Sequence, residues 1–317
     1  MSTVLVTGAS GFVGSHIVPA LLADGHSVRA LVRDDRAKGL ILGRLASDQQ
    51  AAVTFATGDV TAPHTLNDAM AGADTIVHLV ALPRDWNGGR DLERVNFDGT
   101  RNLLAAAIAS GVTRLIHLGA MGVRDDPRLH YAGSKARAED AVSRSALRWT
   151  ILKPSLLWGE RDGFFNILAT LVRYAPGAVP VLARQRSRFQ PLWIGDLCHA
   201  VLLSIHDEAT VGKAIELGGP EFWTYRQMME EVVRGMGKRR LLVPVPLTLV
   251  KGIARASELV HFPFPVASDQ LRQLAFDNAA ALDSVQQAFG FEPRPMAGNL
   301  DYLRKRLRDQ EAVLSPA

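Results

Sequence analysis

The chain has 317 residues, 47% of them hydrophobic, which suffices for one large domain and a smaller one. Its 36 Lys and Arg residues against 32 Asp and Glu leave a scattered net charge of +4, which excludes the basic stripe of a nucleic-acid-binding protein. The single cysteine, Cys198, excludes an internal disulfide and favours a reducing, cytoplasmic compartment, and the sequence predicts no signal peptide, membrane-spanning segment or metal site.

Short β-branched runs alternate with longer amphipathic stretches through the first half of the chain. The predicted strands are Thr3–Thr7, Ser27–Val32, Val53–Thr57, Thr75–Leu79, Arg114–Leu118 and Trp149–Lys153. The predicted helices lie near 12–24, 35–47, 63–71, 90–110, 130–146 and 163–174. Apolar strands separated by helices predict an α/β fold, a doubly wound parallel Rossmann sheet that is covered on both faces.

The alternation breaks down after about residue 155, where prolines, aromatic residues and basic residues become frequent. We therefore expect a dinucleotide-binding Rossmann domain over residues 1–155 and a smaller α/β substrate lobe mainly over 156–317. Residues 189–219 contain one further helix and strand pattern, and we expect them to contribute to the first domain.

Three glycines at three-residue spacing, Gly8, Gly11 and Gly14, follow the first strand and open the first helix. Gly8 would turn the chain tightly, Gly11 would let a pyrophosphate approach the backbone, and Gly14 would allow close packing of helix on strand. The amides at the start of the helix, with the positive end of its dipole, would hold the phosphates, so the loop predicts dinucleotide binding.

This glycine spacing resembles that of the extended and atypical short-chain dehydrogenase/reductases. Further segments resemble the same family, namely GDV (58–60), HLVA (78–81), NFDGTRNLLAAA (96–107), YAGSK (131–135), LKPSLLWG (152–159) and FQPLWIGDL (189–197). The segment SDQLRQLAFDN (268–278) is similar to the branch that contains the NADPH-binding accessory subunit of respiratory complex I and its bacterial relatives. The resemblance implies cofactor contacts at Gly8, Ser10, Gly11, Phe12, Val13, Asp59, Val60, Leu79, Val80, Ala81, Lys135 and Pro154.

The end of the second strand bears on the choice of cofactor. NAD-binding proteins of this fold carry an acidic residue there for the ribose hydroxyls, whereas this chain has Val32 followed by Arg33. An arginine can pair with a 2′-phosphate, so we expect Arg33 to favour NADP(H) over NAD(H). A solvated charged loop is the alternative, and the neighbouring Asp34 and Asp35 weaken the preference for NADP(H).

Tyr131 and Lys135 are four residues apart, so a helix places them on one face. A nearby ammonium group favours the phenolate form of a tyrosine, which is otherwise a poor acid or base at neutral pH. The resemblance implies that this pair transfers a proton beside hydride transfer, with Lys135 also contacting the ribose.

The family's third group, a Ser or Thr just past the fifth strand, is missing, because residues 119–121 are Gly, Ala and Met. His130 or Ser155 could supply a hydrogen-bond donor instead, or the protein binds its cofactor without efficient turnover. His117 ends an apolar run, and we expect it to be a core histidine whose hydrogen bonds are satisfied.

Aromatic residues mark the expected substrate side. Trp86 lies in the loop after the fourth strand, and Trp158, Phe164 and Phe165 follow the sixth. They predict an apolar pocket for a nucleotide-sugar phosphate or a lipophilic molecule with an anionic end, and packing in the core is the alternative. The stretch 243–265 would close the substrate lobe, lie on a membrane surface or contact a protein partner.

Three functions remain open from the sequence. The favoured one is an NADP(H)-dependent oxidoreductase that acts on a small carbonyl or alcohol substrate. The second is a protein that keeps NADPH as a structural or redox-sensing ligand and acts through a partner, which the missing hydroxyl favours. The third is a nucleotide-sugar epimerase or dehydratase, which Arg33 and the missing hydroxyl disfavour.

Overall fold

The chain divides into two compact units. The computed structural model describes residues 2–85, 87–183, 187–246, 248 and 276–305. Unit 1 comprises Met1–Pro154 and Ile194–Leu217, and unit 2 comprises Ser155–Trp193 and Gly218–Ala317. Residues 189–193, which open the segment expected to join the first domain, belong to unit 2.

A seven-stranded parallel sheet forms the centre of unit 1, in the order β10-β6-β5-β4-β1-β2-β3. The strands are β1 (Thr3–Thr7), β2 (Ser27–Val32), β3 (Val53–Thr57), β4 (Thr75–His78), β5 (Arg114–Leu118), β6 (Arg148–Pro154) and β10 (Lys213–Leu217). The predicted fold class is confirmed, and the first six strands fall within one residue of the predicted bounds.

Helices cover this sheet and carry its crossovers. They are α1 (Gly14–Ala23), α2 (Asp35–Leu42), α3 (Ser47–Gln50), α4 (Asn67–Met70), α5 (Arg90–Leu92), α6 (Gly99–Ala109), α7 (His130–Ser143) and α9 (Ile194–His206). Short 3-10 turns lie at Pro63–Thr65 and Glu208–Thr210, and a π-helical turn at Glu93–Asp98 interrupts the single helix predicted over 90–110. The side chains of Leu5, Leu103 and Leu115 are fully buried between the layers.

A buried arginine ties the last helix of unit 1, and the 3-10 turn that follows it, to the central sheet. Arg114, on β5, donates hydrogen bonds to the Arg148 carbonyl at 2.6 Å, to Thr150 Oγ1 at 2.6 Å and to Thr210 Oγ1 at 3.1 Å, and also to the Ser204 carbonyl. Burial lowers the pKa of Arg114 to about 10, which leaves it charged at neutral pH. The guanidinium therefore satisfies carbonyls of segments far apart in the chain.

Unit 2 has two small parallel sheets and its own core. The strands β7 (Leu157–Trp158) and β9 (Leu192–Trp193) form one pair, and β8 (Ala178–Leu182) and β11 (Leu241–Val245) form the other. The helices are α8 (Phe164–Tyr174), α10 (Tyr225–Gly235) and α11 (Ser284–Phe289), with a 3-10 turn at Asp301–Arg304. Helix α10 begins at a capping box between Thr224 and Gln227.

Among the described residues, no helix is long and apolar enough to cross a membrane. Of the stretch 243–265, only 243–246 and 248 are described, so the question of whether it closes a lobe or meets a membrane or a partner lies outside the described residues.

Candidate functional site

The glycine loop lies where the carboxyl ends of β1 and β4 meet. Gly8 has φ +73°, and a Cβ on it would lie 3.0 Å from the Leu79 carbonyl carbon and the Val80 nitrogen. A Cβ on Gly14 would lie 2.4 Å from the Gly8 oxygen, because α1 starts directly against the loop. Among the described residues outside its immediate neighbours, a Cβ on the exposed Gly11 would meet the Gly8 oxygen alone, at 3.3 Å. The backbone is therefore open to a ligand at Gly11 and closely packed at the other two glycines.

The start of α1 has no side-chain cap. Val13 stands at the N-cap position without a side-chain hydrogen bond, and Ser15 turns its hydroxyl back to the Phe12 carbonyl at 2.7 Å. Uncapped amides at a helix start favour an anionic ligand. Arg44, at the end of α2, donates to the Ser10 carbonyl at 2.7 Å and so brings a positive charge to the glycine loop. Arg44 was missed in the sequence, since it lies over 30 residues from the loop.

The end of β2 presents Arg33 as an exposed side chain. The neighbouring Asp34 caps α2, where its Oδ1 accepts a hydrogen bond from the Ala37 amide at 2.8 Å. Asp34 therefore caps α2, and the exposed Asp35 follows it as the first residue of that helix. Lys38 lies over the ring of Phe55, 5.3 Å from its centroid.

The ends of β3 and β4 supply the remaining predicted contacts of this edge. Asp59 is held by hydrogen bonds from the amide and hydroxyl of Thr61, at 2.7 and 2.8 Å. The carbonyl of the buried Val60 accepts from Asn102 at 2.8 Å. The residues that follow β4 range from half-buried to exposed and line the same edge as the glycine loop, namely Leu79, Val80 and Ala81.

Asn96 joins the chain after β4 to helix α7. It lies in the π-helical turn, is 1% exposed, and its amide exchanges two hydrogen bonds with the Leu82 backbone, at 2.7 and 3.1 Å. Its Nδ2 also lies 3.1 Å from Ser134 Oγ, and Ser134 donates to the Tyr131 carbonyl at 2.9 Å. Pi-helical turns occur frequently at functional sites, and this one fixes the first turn of α7 against the sheet edge.

Tyr131 and Lys135 occupy the first two turns of α7, on one face. The Lys135 side chain is 3% exposed, and its Nζ donates to the Leu118 carbonyl at the end of β5. Burial lowers the pKa of Lys135 to about 8, against a smaller opposite effect from the Glu139 carboxylate. Burial and the same carboxylate raise the pKa of Tyr131 to about 12. The tyrosine therefore holds its proton at neutral pH.

Glu139 fills the position where the missing hydroxyl was sought. Its Oε1 accepts a hydrogen bond from the Ala120 amide at 3.0 Å, and its Oε2 lies 3.1 Å from Lys153 Nζ. A Cβ on Gly119 would lie 2.5 Å from Glu139 Oε1, so a serine cannot be accommodated there without displacing the carboxylate. Glu139 was not predicted from the sequence, although it stands four residues after Lys135, the same step that separates Tyr131 from Lys135.

Two histidines lie side by side beneath this edge, His78 on β4 and His117 on β5, with ring centroids 5.3 Å apart. Thr100 Oγ1 donates to the Asn96 carbonyl at 2.7 Å and so accepts from His78 Nε2 at 3.1 Å, while Thr7 Oγ1 donates to His78 Nδ1 at 2.7 Å. Burial and the Lys135 charge lower the pKa of His78 to about 3, so its ring is neutral.

The expectation for His117 is wrong in one respect. His117 is buried, at 1% exposure, but neither ring nitrogen has a hydrogen-bond partner among the described residues. Its place beside His78 follows from the register of the two strands, which the sequence did not show. Burial, followed by the Lys135 charge, lowers its pKa well below the usual value, which keeps this unpartnered ring neutral.

The aromatic residues expected near the substrate belong to the core of unit 2. Trp158 and Phe165 are 1% and 0% exposed, and Phe164 packs against the same cluster. Core packing therefore accounts for these three side chains, while Trp86 lies outside the described residues. Ser155, considered as a donor, gives its hydroxyl to the Asn278 carbonyl at 2.9 Å within unit 2.

Two further residues of unit 1 complete the account of the predicted positions. His130, the other donor considered, is exposed at the start of α7, where a Cβ on Gly89 would lie 2.6 Å from its Nδ1. Pro154 ends β6, and its carbonyl accepts a hydrogen bond from the Met121 amide at 3.0 Å. The described part of unit 1 thus holds the glycine loop at the carboxyl end of β1 and anchors Lys135 at the carboxyl end of β5, with β4 between these two strands.

Comparisons with known proteins agree with this geometry. Subunit 9 of the NADH dehydrogenase (ubiquinone) 1 alpha subcomplex, mitochondrial, from Arabidopsis thaliana is 26% identical over 88% of this chain and 70% of that protein. Ceramide reductase from Caulobacter vibrioides is 30% identical over 81% of this chain and 77% of that protein. The solved UDP-glucose 4-epimerase of Thermus thermophilus, in complex with NAD, has the same fold, with a TM-score of 0.71 at 21% identity over 96% of this chain and 100% of that one.

The family match covers the site itself. A family model described as NAD(P)H-binding matches residues 8–180, more than half of the chain, and begins at the first glycine of the loop. The resemblance to short-chain dehydrogenase/reductases and to the complex I subunit is thereby confirmed. This chain is a member of the NAD(P)H-binding Rossmann family.

Proposed function

We propose that this protein is an NADP(H)-dependent oxidoreductase that interconverts a carbonyl and an alcohol, with Tyr131 as the proton donor and acceptor. One observation carries the proposal: Tyr131 and Lys135 stand on one face of α7, and Lys135 is anchored at the end of β5. The neighbouring strand is β4, and the residues that follow β4 pack on Gly8 of the glycine loop. In parallel α/β sheets, ligands bind at this carboxyl edge, where the strand order reverses.

The glycine loop fits a dinucleotide. The tight packing at Gly8 and Gly14 and the open backbone at Gly11 leave space that a side chain would fill, next to the uncapped start of α1. The backbone of residues 8–13 would hold the pyrophosphate, and Asp59, Val60, Leu79, Val80, Ala81 and Pro154 would line the rest of the cofactor. Arg33, exposed at the end of β2, would pair with the 2′-phosphate of NADP(H), because its neighbour Asp34 is engaged as a helix cap.

The two pKa shifts describe the protons that Tyr131 and Lys135 hold at neutral pH. When bound, a nicotinamide supplies or accepts the hydride. Tyr131, whose pKa is raised to about 12, holds a proton on Oη that it can give to the carbonyl oxygen of a substrate. The Lys135 ammonium stabilises the phenolate that remains, and the Leu118 carbonyl fixes its position. In the opposite direction, the phenolate would take the proton back from the hydroxyl of an alcohol substrate.

Glu139 occupies the space beside Gly119, where the family's hydroxyl is missing. Its carboxylate takes the Ala120 amide and occupies the space beside Gly119, so it holds the loop after β5 in place. A carboxylate cannot donate a hydrogen bond to the substrate oxygen, and losing one such donor lowers turnover roughly 10²–10³-fold. We therefore propose a slow enzyme, or one whose substrate supplies the donor itself.

The substrate proposal is a lipophilic small molecule. It rests on the relative named ceramide reductase, since the aromatic residues of unit 2 are accounted for by its core. A cytoplasmic location is part of the proposal, because the single cysteine, Cys198, is buried and unpaired.

A non-catalytic role is the second candidate. The absence of a hydroxyl at residues 119–121 favours a protein that keeps NADPH as a structural or redox-sensing ligand, and the relative named as an NADH dehydrogenase subunit supports a protein partner. The nucleotide-sugar epimerase or dehydratase alternative has a similar fold in its favour, but Arg33 and the missing hydroxyl oppose it.

The test is NADPH oxidation with a panel of aldehydes and ketones that includes long-chain lipid ketones. Tyr131→Phe should lower turnover by a factor of roughly 10² and leave NADPH affinity nearly unchanged, since the phenol meets the substrate. Tyr174→Phe is the matched control, because Tyr174 is 65% exposed in unit 2. Ala120→Ser is the companion variant that offers a hydroxyl without the collision at Gly119.

The result decides between the two leading candidates. Loss of activity in Tyr131→Phe, with full activity in Tyr174→Phe, supports the oxidoreductase. If the native protein and Ala120→Ser both bind NADPH but neither oxidises NADPH with any aldehyde or ketone of the panel, the non-catalytic function replaces the oxidoreductase proposal.

A further inference from the structure

Two histidines and an aspartate meet at the edge of the unit 1 sheet opposite the glycine loop. Asp24 follows the last residue of α1, His26 directly precedes β2, and His206 is the last residue of α9. One nitrogen or oxygen atom from each of the three lies within 4.8 Å of the others. The proposed reaction uses none of these residues, because it takes place at the carboxyl ends of the strands.

His26 gives a second, independent sign of a ligand here. It is only 4% exposed, and neither of its ring nitrogens has a hydrogen-bond partner among the described residues. Its Nε2 lies 3.2 Å from Asp24 Oδ2, and its ring stacks on that of His206 with centroids 5.2 Å apart and planes inclined by 18°. A buried polar atom without a partner is costly, and imidazole nitrogens are common metal ligands.

The surrounding backbone favours a cation. Both α1 and α9 end at this place, with Ala23 and His206 as their last residues. The carbonyl ends of two helices therefore point their negative dipole ends to the same region, and positive charge is stabilised within the last turn of a helix.

We propose that Asp24, His26 and His206 bind a divalent transition-metal ion, with Zn²⁺ as the ion that suits them best. Two imidazoles and one carboxylate are a common set of zinc ligands, and water would complete the tetrahedron. Zinc ligands lie about 3.3 Å apart at the usual bond lengths. The exposed Asp24 and His206 side chains can turn to close the remaining gap, whereas the buried His26 is already held in place.

The site would stabilise unit 1 rather than take part in chemistry. It joins α9 to the turn between α1 and β2, two segments that are 180 residues apart in the sequence. A metal that binds only the folded state raises the stability of that state by mass action.

The test is a calorimetric titration of Zn²⁺ into full-length protein without an affinity tag, after treatment with a chelator. The native chain should bind one Zn²⁺, and its melting temperature should rise by a few degrees on zinc addition. His206→Ala should weaken binding at least tenfold, and Asp24→Asn several-fold, because each removes one ligand. His64→Ala is the matched control, since His64 is exposed elsewhere in unit 1, and Mg²⁺ should not bind because it prefers oxygen ligands.

Two results would overturn the site: no zinc uptake by the native chain, or equal zinc binding by the native chain and His206→Ala. The first means that Asp24, His26 and His206 lie close together without binding a metal, and the second places the metal elsewhere. NADPH affinity should be the same in His206→Ala and the native protein, so failure of this site and failure of the proposed function are distinguishable.

Discussion

Replacing Lys135 with methionine tests the electrostatic basis of the site through the pH dependence of stability. Methionine is a flexible apolar residue that can occupy much of the same space without a charge. In the folded chain the pKa of Lys135 is lowered from its ordinary value of 10.5 to about 8, mainly by burial. Between these two pH values, the unfolded chain binds a proton at this lysine that the folded chain has released.

The sign and size follow from proton linkage. Because the unfolded state binds more protons, the native protein gains stability as the pH rises above about 8, at about 1.4 kcal/mol per pH unit. The methionine variant has no such group. The difference in unfolding free energy, native minus variant, should therefore be constant below pH 8 and should rise by 2–3 kcal/mol (an approximate figure) between pH 8 and pH 10.

The assay is urea unfolding of both proteins, followed by far-UV circular dichroism at pH 6, 7, 8, 9 and 10. Taking the difference removes the titrations that the two proteins share. Lys213→Met, which removes the same charge from an exposed position on β10, corrects for the change in net charge. A difference that stays flat from pH 6 to pH 10, or falls above pH 8, would refute the reasoning and show that Lys135 is not desolvated.

Three further predictions concern the cofactor and the tyrosine. Gly11→Val should abolish dinucleotide binding but keep the fold, because among the described residues a Cβ there would meet the Gly8 oxygen alone, at 3.3 Å. In calorimetry the control Gly39→Val, where a Cβ would meet open space, should bind the dinucleotide with unchanged affinity. Unchanged affinity in Gly11→Val would rule out the loop as the binding site. The native protein should bind NADPH at least tenfold more tightly than NADH, a difference of about 1.4 kcal/mol in binding free energy. Arg33→Ala should remove most of this difference by weakening the binding of NADPH alone, whereas the control Arg36→Ala should not. Equal affinities of the native protein for the two cofactors would mean that Arg33 points into solvent. Glu139→Gln keeps an acceptor for the Ala120 amide but removes a carboxylate that raises the pKa values of Tyr131 and Lys135. The alkaline limb of the pH–rate profile should therefore move to lower pH. A shift to higher pH would contradict the effect assigned to the Glu139 carboxylate.

Local patterns in the sequence determined the Rossmann part of the fold. Short β-branched and apolar runs, such as Thr3–Thr7, predict buried strands when helices separate them, and the bounds of the first six strands differ by at most one residue from the prediction. The glycine spacing determined the loop in the same way, because the turn at Gly8 and the close approach at Gly14 each exclude a side chain. The four-residue step from Tyr131 to Lys135 needed only the helical repeat.

Only the tertiary structure decided what surrounds those residues. The space beside Gly119 is filled by Glu139, from a different element, and the burial of Lys135 depends on the strands beneath α7. His78 and His117 became neighbours through the register of β4 and β5, which left His117 without the partner that was expected. Asp24 and His26 met His206 because α9 returns to unit 1 after a long excursion of the chain. These contacts join residues between about 20 and 180 positions apart. The local periodicity and spacing of the sequence do not predict which distant side chain fills a given space.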